Sequence, residues 1–370
     1  MSSIYPLRPF VADLPATVPF VGPEAQERMR GKPFRARIGA NECLFGPSPK
    51  CVEAMAEAGK EIWKYGDPEG YDLRHAIAGH YGVTPAHVVL GPGIDGLLGH
   101  TVRLFVEEGV HVVTSDGAYP TFNFHVTGHG GTLHKVKYHD DREDLGALLD
   151  KAKETGARLI YLSNPDNPMG TWWKASEIAE LIASLPSDCL LVLDEAYAEY
   201  GPDDAVVPID TSNWQVLHFR TFSKAYGMAG ARVGYAIGAA PLIAGFDKVR
   251  NHFGMSRISQ AGALAALADT DHLIEVQAAV SVARGRIAEI AAANGLTALP
   301  SAANFVAIDC GRDGAFATRV LEGLGAEDVF VRKPFVAPED RCIRVSAGTP
   351  EMLDLFERAL PRALAAARDD

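Results

Sequence analysis

No apolar run in this sequence approaches the ~18 residues that a bilayer span requires, so no transmembrane helix is expected. The opening Met1-Ser2-Ser3-Ile4-Tyr5-Pro6 lacks both the charged n-region and the apolar stretch of a secretory signal, from which a cytoplasmic location is expected. Cysteine is scarce. Cys43, Cys51, Cys189, Cys310 and Cys342 are odd in number, scattered and without a C-x-x-C pair, which excludes a disulfide scaffold and fits reduced, packed thiols. The 12 histidines form no H-E-x-x-H or comparable cluster, so no metal site is expected. Positive charge is in deficit as well, with 35 Lys and Arg against 47 Asp and Glu for a net charge of −12. A net acidic chain argues against wrapping nucleic acid, although a local basic pocket for a small anion is still allowed. What is present is the balance of a soluble globular chain, 47% hydrophobic and 22% charged over 370 residues. That length suits one large and one small domain, or two comparable ones.

Seven β-rich runs alternate with helical stretches through the middle of the chain: 87–90, 110–115, 132–138, 158–162, 189–193, 216–220 and 232–237. Several are continuously apolar, as Leu190-Leu191-Val192-Leu193 is, which predicts strands buried on both faces of a mainly parallel sheet. The segments 97–108, 142–155 and 175–184 read as helices between them, giving an α/β fold with a seven-stranded sheet between helical layers. Beyond residue 265 the pattern changes to one long helix over 271–294, strand-like runs at 304–308, 329–332 and 342–345, and a closing helix over 350–366. These predict a smaller α+β domain over 266–370, completed by residues 1–45, with 46–265 as the large domain. The first 45 residues are proline-rich and read as an extended arm.

Gly91-Pro92-Gly93-Ile94-Asp95-Gly96 follows a strand and precedes a helix, and Asp116 ends the next strand twenty residues on. Three readings fit. One is a dinucleotide-binding turn with its ribose-binding acid, as in an NAD-dependent dehydrogenase. The second is a plain glycine turn. The third is a helix N-terminus that holds a single phosphate through its free N–H groups.

Three further segments stand at strand ends: Ser163-Asn164-Pro165-Asp166-Asn167-Pro168-Met169-Gly170, Asp194-Glu195-Ala196-Tyr197, and Thr221 to Arg232 with Ser223-Lys224. In parallel sheets such segments converge on one crevice. Singly, each has an ordinary structural use, Asp194 as a helix cap, Asn167 as a turn former and Lys224 as a solvated side chain. Together their residue types describe an electron-sink device. A lysine amine can form a Schiff base with an aldehyde. A buried carboxylate can keep a pyridine nitrogen protonated, Asn and Tyr can donate to a ring oxygen, and Ser with Arg can bind a phosphate.

Here the sequence resembles the fold type I pyridoxal-phosphate aminotransferases, and within them the histidinol-phosphate aminotransferase-like group, over nearly the whole chain. The resemblance implies pyridoxal 5'-phosphate as cofactor and Lys224 as the lysine that carries it. It implies Asp194 at the pyridine nitrogen, Asn167 and Tyr197 at the ring oxygen, and Ser223 and Arg232 at the phosphate. Gly93, Ile94 and Asp95 match the family's phosphate-loop segment G-A-D-E, with Gly96 in place of its Glu. Tyr119 matches the ring-stacking aromatic, and Tyr65 the tyrosine that reaches the neighbouring subunit's cofactor, which implies a homodimer. Asn41, in a segment resembling N-E-N-P-x-G-P-S-P with Cys43 and Leu44 where Asn and Pro are usual, falls on the substrate side. Arg344 in Arg341-Cys342-Ile343-Arg344-Val345-Ser346-Ala347-Gly348-Thr349 matches the arginine that clamps the substrate α-carboxylate.

The activity implied is transamination between an amino-acid or amino-phosphate donor, histidinol-phosphate-like or aromatic, and a 2-oxo acid such as 2-oxoglutarate. A decarboxylase resembling the threonine-phosphate enzymes shares the scaffold and is the alternative; the dehydrogenase is a remote one. On the substrate side Arg332 matches the arginine for a distal phosphate or carboxylate, followed here by Lys333-Pro334, and Phe20 stands where a phosphate-contacting Tyr is usual. His252 and Arg257, in a segment that departs from the family's pattern, offer a different candidate anion site or face solvent or a subunit contact.

Overall fold

The computed structural model describes residues 7–12, 14–16 and 21–369. Its strands are β1 (Ala36–Arg37), β2 (Val88–Gly91), β3 (His111–Ser115), β4 (Thr132–Val136), β5 (Leu159–Ser163), β6 (Leu190–Asp194), β7 (Val216–Thr221), β8 (Gly234–Ile237), β9 (Thr297–Ala298), β10 (Phe305–Asp309), β11 (Val329–Phe330) and β12 (Cys342–Ser346). β2 to β8 form one sheet in the order β2-β8-β7-β6-β5-β3-β4. It is parallel throughout except around β8, which runs antiparallel to both β2 and β7. The seven-stranded α/β sheet expected from the apolar runs is thus present, with strand ends displaced by no more than two residues.

The continuous apolar runs are explained by the layers on either side. Alternate residues of β5 and β6, such as Tyr161, Leu190 and Val192, pack with Leu97, Leu98 and Phe122 of the helices Gly93–Phe105 and Pro120–Gly128. Ile160, Leu162, Leu191 and Leu193 face the other way, against Leu148 and Ala152 of Leu145–Thr155 and Ile178 and Leu181 of Ala175–Ala183. Side chains alternate faces along a strand, so both sets must be apolar when both faces are covered. Irregular, polar backbone is then confined to the strand ends.

The topology disposes of the dinucleotide reading. A βαβ nucleotide unit needs its two strands parallel within one sheet, each half built of successive neighbours. Here β2 lies at the sheet edge, antiparallel to β8, and four strands separate it from β3. Asp116, the supposed ribose acid, is spent on an ion pair with Lys135 at 3.2 Å.

The remaining strands build a second core. β10 pairs antiparallel with β12 and β9, and the long helix Thr270–Ala293 packs with Gly314–Ala326 and Pro350–Asp369 around Ile287, Phe305, Phe316, Val320 and Phe356. The N-terminal stretch joins this core: β1 runs parallel to β11, and Ser346 N–H donates to the Ile38 carbonyl at 2.7 Å. That stretch differs from an extended arm in carrying a helix, Pro23–Arg30. Pro23 at its first turn has no N–H to leave unpaired, and Gly31 closes it at φ +70°.

One buried ion cluster ties the sheet to its outer helices. Glu195, just past β6, accepts from Arg220 Nε at 3.1 Å and lies 3.2 Å from His218 Nδ1, and Arg220 Nη1 reaches the Tyr81 hydroxyl of the helix Tyr71–Tyr81. Burial pushes Glu195 up, but Arg220 and His218 more than offset it and leave it at about 2. Arg220→Leu should therefore leave a stranded buried charge and cost roughly 3–5 kcal/mol in urea unfolding. Because the folded-state value lies below the unfolded one, Glu195's contribution is present above about pH 4.5 and fades as pH falls toward 2.

Candidate functional site

The ends of β5, β6 and β7, the turn before β8 and the start of the helix after β2 surround a cavity of about 430 Å³, closed on its far side by residues of the second core. Asn41, Ile94, Asp95, Tyr119, Asn167, Asp194, Tyr197, Ser223, Lys224, Arg232, Arg332 and Arg344 line it. Gly93 lies against Arg232 of that lining. Tyr65 lies elsewhere, exposed and tilted against Phe253 with ring centroids 4.8 Å apart. Phe20 lies outside the described residues. His252 and Arg257 do not line the cavity; Arg257 donates to the Tyr65 carbonyl at 2.9 Å.

Asp194 is the last residue of β6 and is 6% exposed. Its Oδ2 accepts from the Tyr161 hydroxyl at 2.7 Å and its Oδ1 from the Ala196 N–H at 3.0 Å. Burial raises the carboxyl to about 6; the two donors and Lys224 hold it down, while Asp95 raises it further. Across the cavity, Lys224 Nζ donates to the Asn41 carbonyl at 3.0 Å and sits 5.4 Å from the centre of the Tyr197 ring. Asn41 holds φ +56°, pinned by its N–H to Ser346 Oγ at 3.0 Å, and its side chain donates to the Tyr197 hydroxyl at 3.0 Å. The lysine's resting contact is therefore supplied by a segment almost two hundred residues away in sequence.

A phosphate-sized anion has a seat beside the lysine. Arg232 Nη1 donates to Ser223 Oγ at 3.2 Å and to the Ala229 carbonyl at 3.0 Å. The helix Gly93–Phe105 begins here with no side chain capping its first N–H groups, so its positive end is available to an anion. Gly93 has φ +79°, and a Cβ on it would overlap the Arg232 guanidinium. Only glycine permits this approach.

On the opposite wall Arg344 and Arg332 face each other across a β-bridge, with Arg344 N–H donating to the Arg332 carbonyl at 2.6 Å. Residues opposed in such a bridge project to the same face, so the two guanidinium groups share a side. Arg344 Nη1 donates to Asn167 Oδ1, while its buried Nε has no hydrogen-bond partner among the described residues. Burial pulls Arg344 down to about 10, with Tyr197 opposing and Arg332 adding to the fall. Two desolvated cations and an unsatisfied N–H at one wall call for a carboxylate or phosphate. The cavity volume is within the roughly 300–1,000 Å³ of small-molecule sites. A lysine amine, a buried carboxyl and an anion seat in one cavity are the donor set that pyridoxal phosphate requires, and they fit it.

The model for "Aminotransferase class I and II" matches residues 37–360. The chain belongs to that family, the pyridoxal-phosphate-dependent one its motifs resemble. Histidinol-phosphate aminotransferase 1 of Mesorhizobium japonicum is 37% identical, over 89% of this chain and 90% of that protein. Histidinol-phosphate aminotransferase of Anaeromyxobacter sp. is 35% identical, over 97% of this chain and 99% of its own length. Among solved structures, the histidinol-phosphate aminotransferase of Sinorhizobium meliloti in complex with pyridoxal-5'-phosphate superposes with a TM-score of 0.95 at 51% identity, covering 98% of this chain and 99% of that one. The α/β aminotransferase fold and family expected from the sequence are borne out.

Several neighbours of the site had no sequence signal. Tyr161 sits inside an apolar strand and reads as core. Glu143, at the start of a charged helical stretch, turns out 1% exposed, accepting from Ser115 Oγ at 2.6 Å and from the Ser163 N–H at 2.9 Å. Asp166 accepts from the Tyr138 hydroxyl and the Met169 N–H, both at 2.8 Å, and burial raises it to about 7. Glu143 rises too, through burial and the charge of Asp166. These acids brace the loop that carries Asn167. Lys333, which could have served as an anion ligand, instead donates to the Gly314 carbonyl and Thr318 Oγ1, both at 3.0 Å.

Gly93→Ala should strain the turn by about 1–3 kcal/mol and displace Arg232, weakening pyridoxal-phosphate binding roughly tenfold or more in a fluorescence titration. Far-UV circular dichroism should be unchanged.

Proposed function

We propose that the chain transfers an amino group between an amino-acid or amino-phosphate donor, with histidinol phosphate as the leading candidate, and a 2-oxo acid such as 2-oxoglutarate. The observation that carries this is the placing of Lys224 between a buried carboxylate, Asp194, and a desolvated pair of arginines, Arg332 and Arg344, in one cavity. The names of the curated relatives support the choice of donor.

Bound in the cavity, pyridoxal phosphate supplies an aldehyde for the amine and a ring that accepts the electron pair left at the donor's α-carbon. Ser223, Arg232 and the first N–H groups after Gly93 hold its phosphate, with Ile94 and Asp95 shaping the turn and the Tyr119 hydroxyl donating to Asp95 at 3.1 Å. Asp194 holds a proton at the ring nitrogen, and Asn167 and Tyr197 donate to the ring oxygen. Lys224 takes the α-proton as general base and returns it as general acid. Arg344 offers its free Nε, with an Nη, to the donor's α-carboxylate, Asn41 closes that side, and Arg332 takes a distal phosphate or carboxylate.

The enzyme works as a cytoplasmic homodimer in this proposal. Trp63, Tyr65, Tyr71 and Phe253 are each more than half exposed, Tyr65 lies against Phe253, and in the homodimer Tyr65 would reach the partner's cofactor. The chain divides into residues 1–45 with 266–370, and 46–265. No described helix is long and apolar enough to cross a membrane.

Lys224→Ala should abolish turnover, a loss of at least roughly 10²–10⁴-fold, while the purified protein still carries cofactor. An active Lys224→Ala protein would refute the assignment. In a donor panel against 2-oxoglutarate, histidinol phosphate should give the highest kcat/KM, with phenylalanine and an acidic amino acid below it and no carbon dioxide evolved. Carbon dioxide release without an oxo-acid requirement would establish the decarboxylase instead. Tyr65→Phe should weaken cofactor retention in dialysis.

A further inference from the structure

The hydroxyl of Tyr161 is a buried polar group with one destination. Its side chain is fully buried in β5, and its ring stacks on Phe122 with centroids 4.8 Å apart and 18° between planes. Phenylalanine would fill the same space in that apolar layer. The hydroxyl oxygen nevertheless lies 2.7 Å from Asp194 Oδ2.

The direction of that hydrogen bond is set by the neighbours. Ser163 Oγ donates to the Tyr161 oxygen at 3.4 Å, and Ser163 is itself held by its N–H to Glu143 Oε1. A phenol has one proton, and an ionised carboxylate only accepts. The Tyr161 proton therefore points at Asp194. Burial and the nearby Asp194 charge push the phenol's own ionisation well above its ordinary range, so it stays a donor.

Asp194 depends on such donors. Lys224, from the loop after β7, acts on it across the cavity, and Asp95, from the helix after β2, opposes with like charge; Tyr119 and Glu143 also face it. Only two hydrogen bonds, from Tyr161 and the Ala196 N–H, stabilise its charge directly among the described residues, one on each oxygen. Removing either leaves a buried carboxylate that claims a proton for itself.

We propose that Tyr161 is a positioning residue that, by donating to Asp194, keeps this carboxylate ionised and so leaves the proton on the ring nitrogen of bound pyridoxal phosphate. The proposal rests on the cofactor site described above. Tyr161 acts through Asp194 and touches neither cofactor nor substrate.

The test uses Tyr161→Phe holoenzyme loaded with cofactor labelled with ¹⁵N in the ring. At neutral pH the wild-type nitrogen signal should be that of a protonated ring, and the variant's should move toward that of the neutral ring. The acid limb of its kcat profile should rise by roughly one pH unit or more, because a hydrogen bond to a charged group is worth that much. KM for the donor should be unchanged, since Arg344 is untouched. Ser163→Ala, which only frees the hydroxyl to turn, should shift the signal the same way by less. If the nitrogen signal and acid limb of Tyr161→Phe coincide with wild type, whatever its thermal stability, the proposal is overturned and Tyr161 is core. Asp194→Ala separates the two levels: a protonated-ring signal unchanged in that variant would overturn the assignment of Asp194 itself.

Discussion

The carboxylate of Asp194 is buried at the end of a central strand with no cation in hydrogen-bond contact among the described residues, and the cavity is arranged around that fact. An unpaired buried charge costs several kcal/mol unless donors surround it or it takes up a proton. Tyr161 and the Ala196 N–H supply donors, and Lys224 supplies positive charge from across the cavity. The result is a carboxyl raised to about 6, well above its ordinary range yet still mostly ionised at neutral pH. Its neighbour Glu195 shows the contrast. Equally buried, but in contact with Arg220 and His218, it is held ionised down to about 2 and serves only to lock the sheet. Two adjacent acids acquire opposite uses because side chains alternate faces along the strand direction, one toward the cavity and one toward Arg220 on β7.

The second constraint is that the cavity belongs to both cores. The sheet supplies Asp194, Lys224 and Arg232, whereas β12 and the segment before the first helix of the large region supply Arg344 and Asn41. Lys224 touches the Asn41 carbonyl, Asn304 Nδ2 shares that carbonyl at 3.1 Å, and Arg344 reaches Asn167 on the β5 loop. Hydrogen bonds across the cavity thus tie the lysine to the core that carries Arg332 and Arg344. Lys224 and Arg344 line one cavity from opposite cores, an arrangement that only the joining of the two cores creates.

Much of this was legible in order along the chain. Continuous apolar runs such as Leu190–Leu193 mark strands covered on both faces, and polar residues packed at their ends, Asn167, Asp194 and Lys224 above all, mark a crevice. The glycine turn after β2 was legible only as an ambiguity. Its G-x-G-x-x-G spacing suits a dinucleotide, a bare turn or one phosphate equally well, because spacing says nothing of whether β2 and β3 are neighbours. The pairing of β2 with β8 decided it. Glu143, Asp166 and Tyr161 were illegible for another reason: a carboxyl in a charged stretch reads as solvated and a tyrosine in an apolar strand as core, until the loop packed over them removes the water.

By itself, then, the sequence determined the α/β architecture, the family and the residue types of the site, since burial periodicity and local motif chemistry are properties of short segments. Tertiary structure alone decided which groups share an environment. It set Asp194 near 6 and Glu195 near 2, turned the Tyr161 proton toward Asp194 and left Arg344 Nε without a hydrogen-bond partner among the described residues. Desolvation and Coulomb interaction depend on distance through space, and residues far apart in the chain, such as Asn41 and Lys224, acquire that distance only on folding.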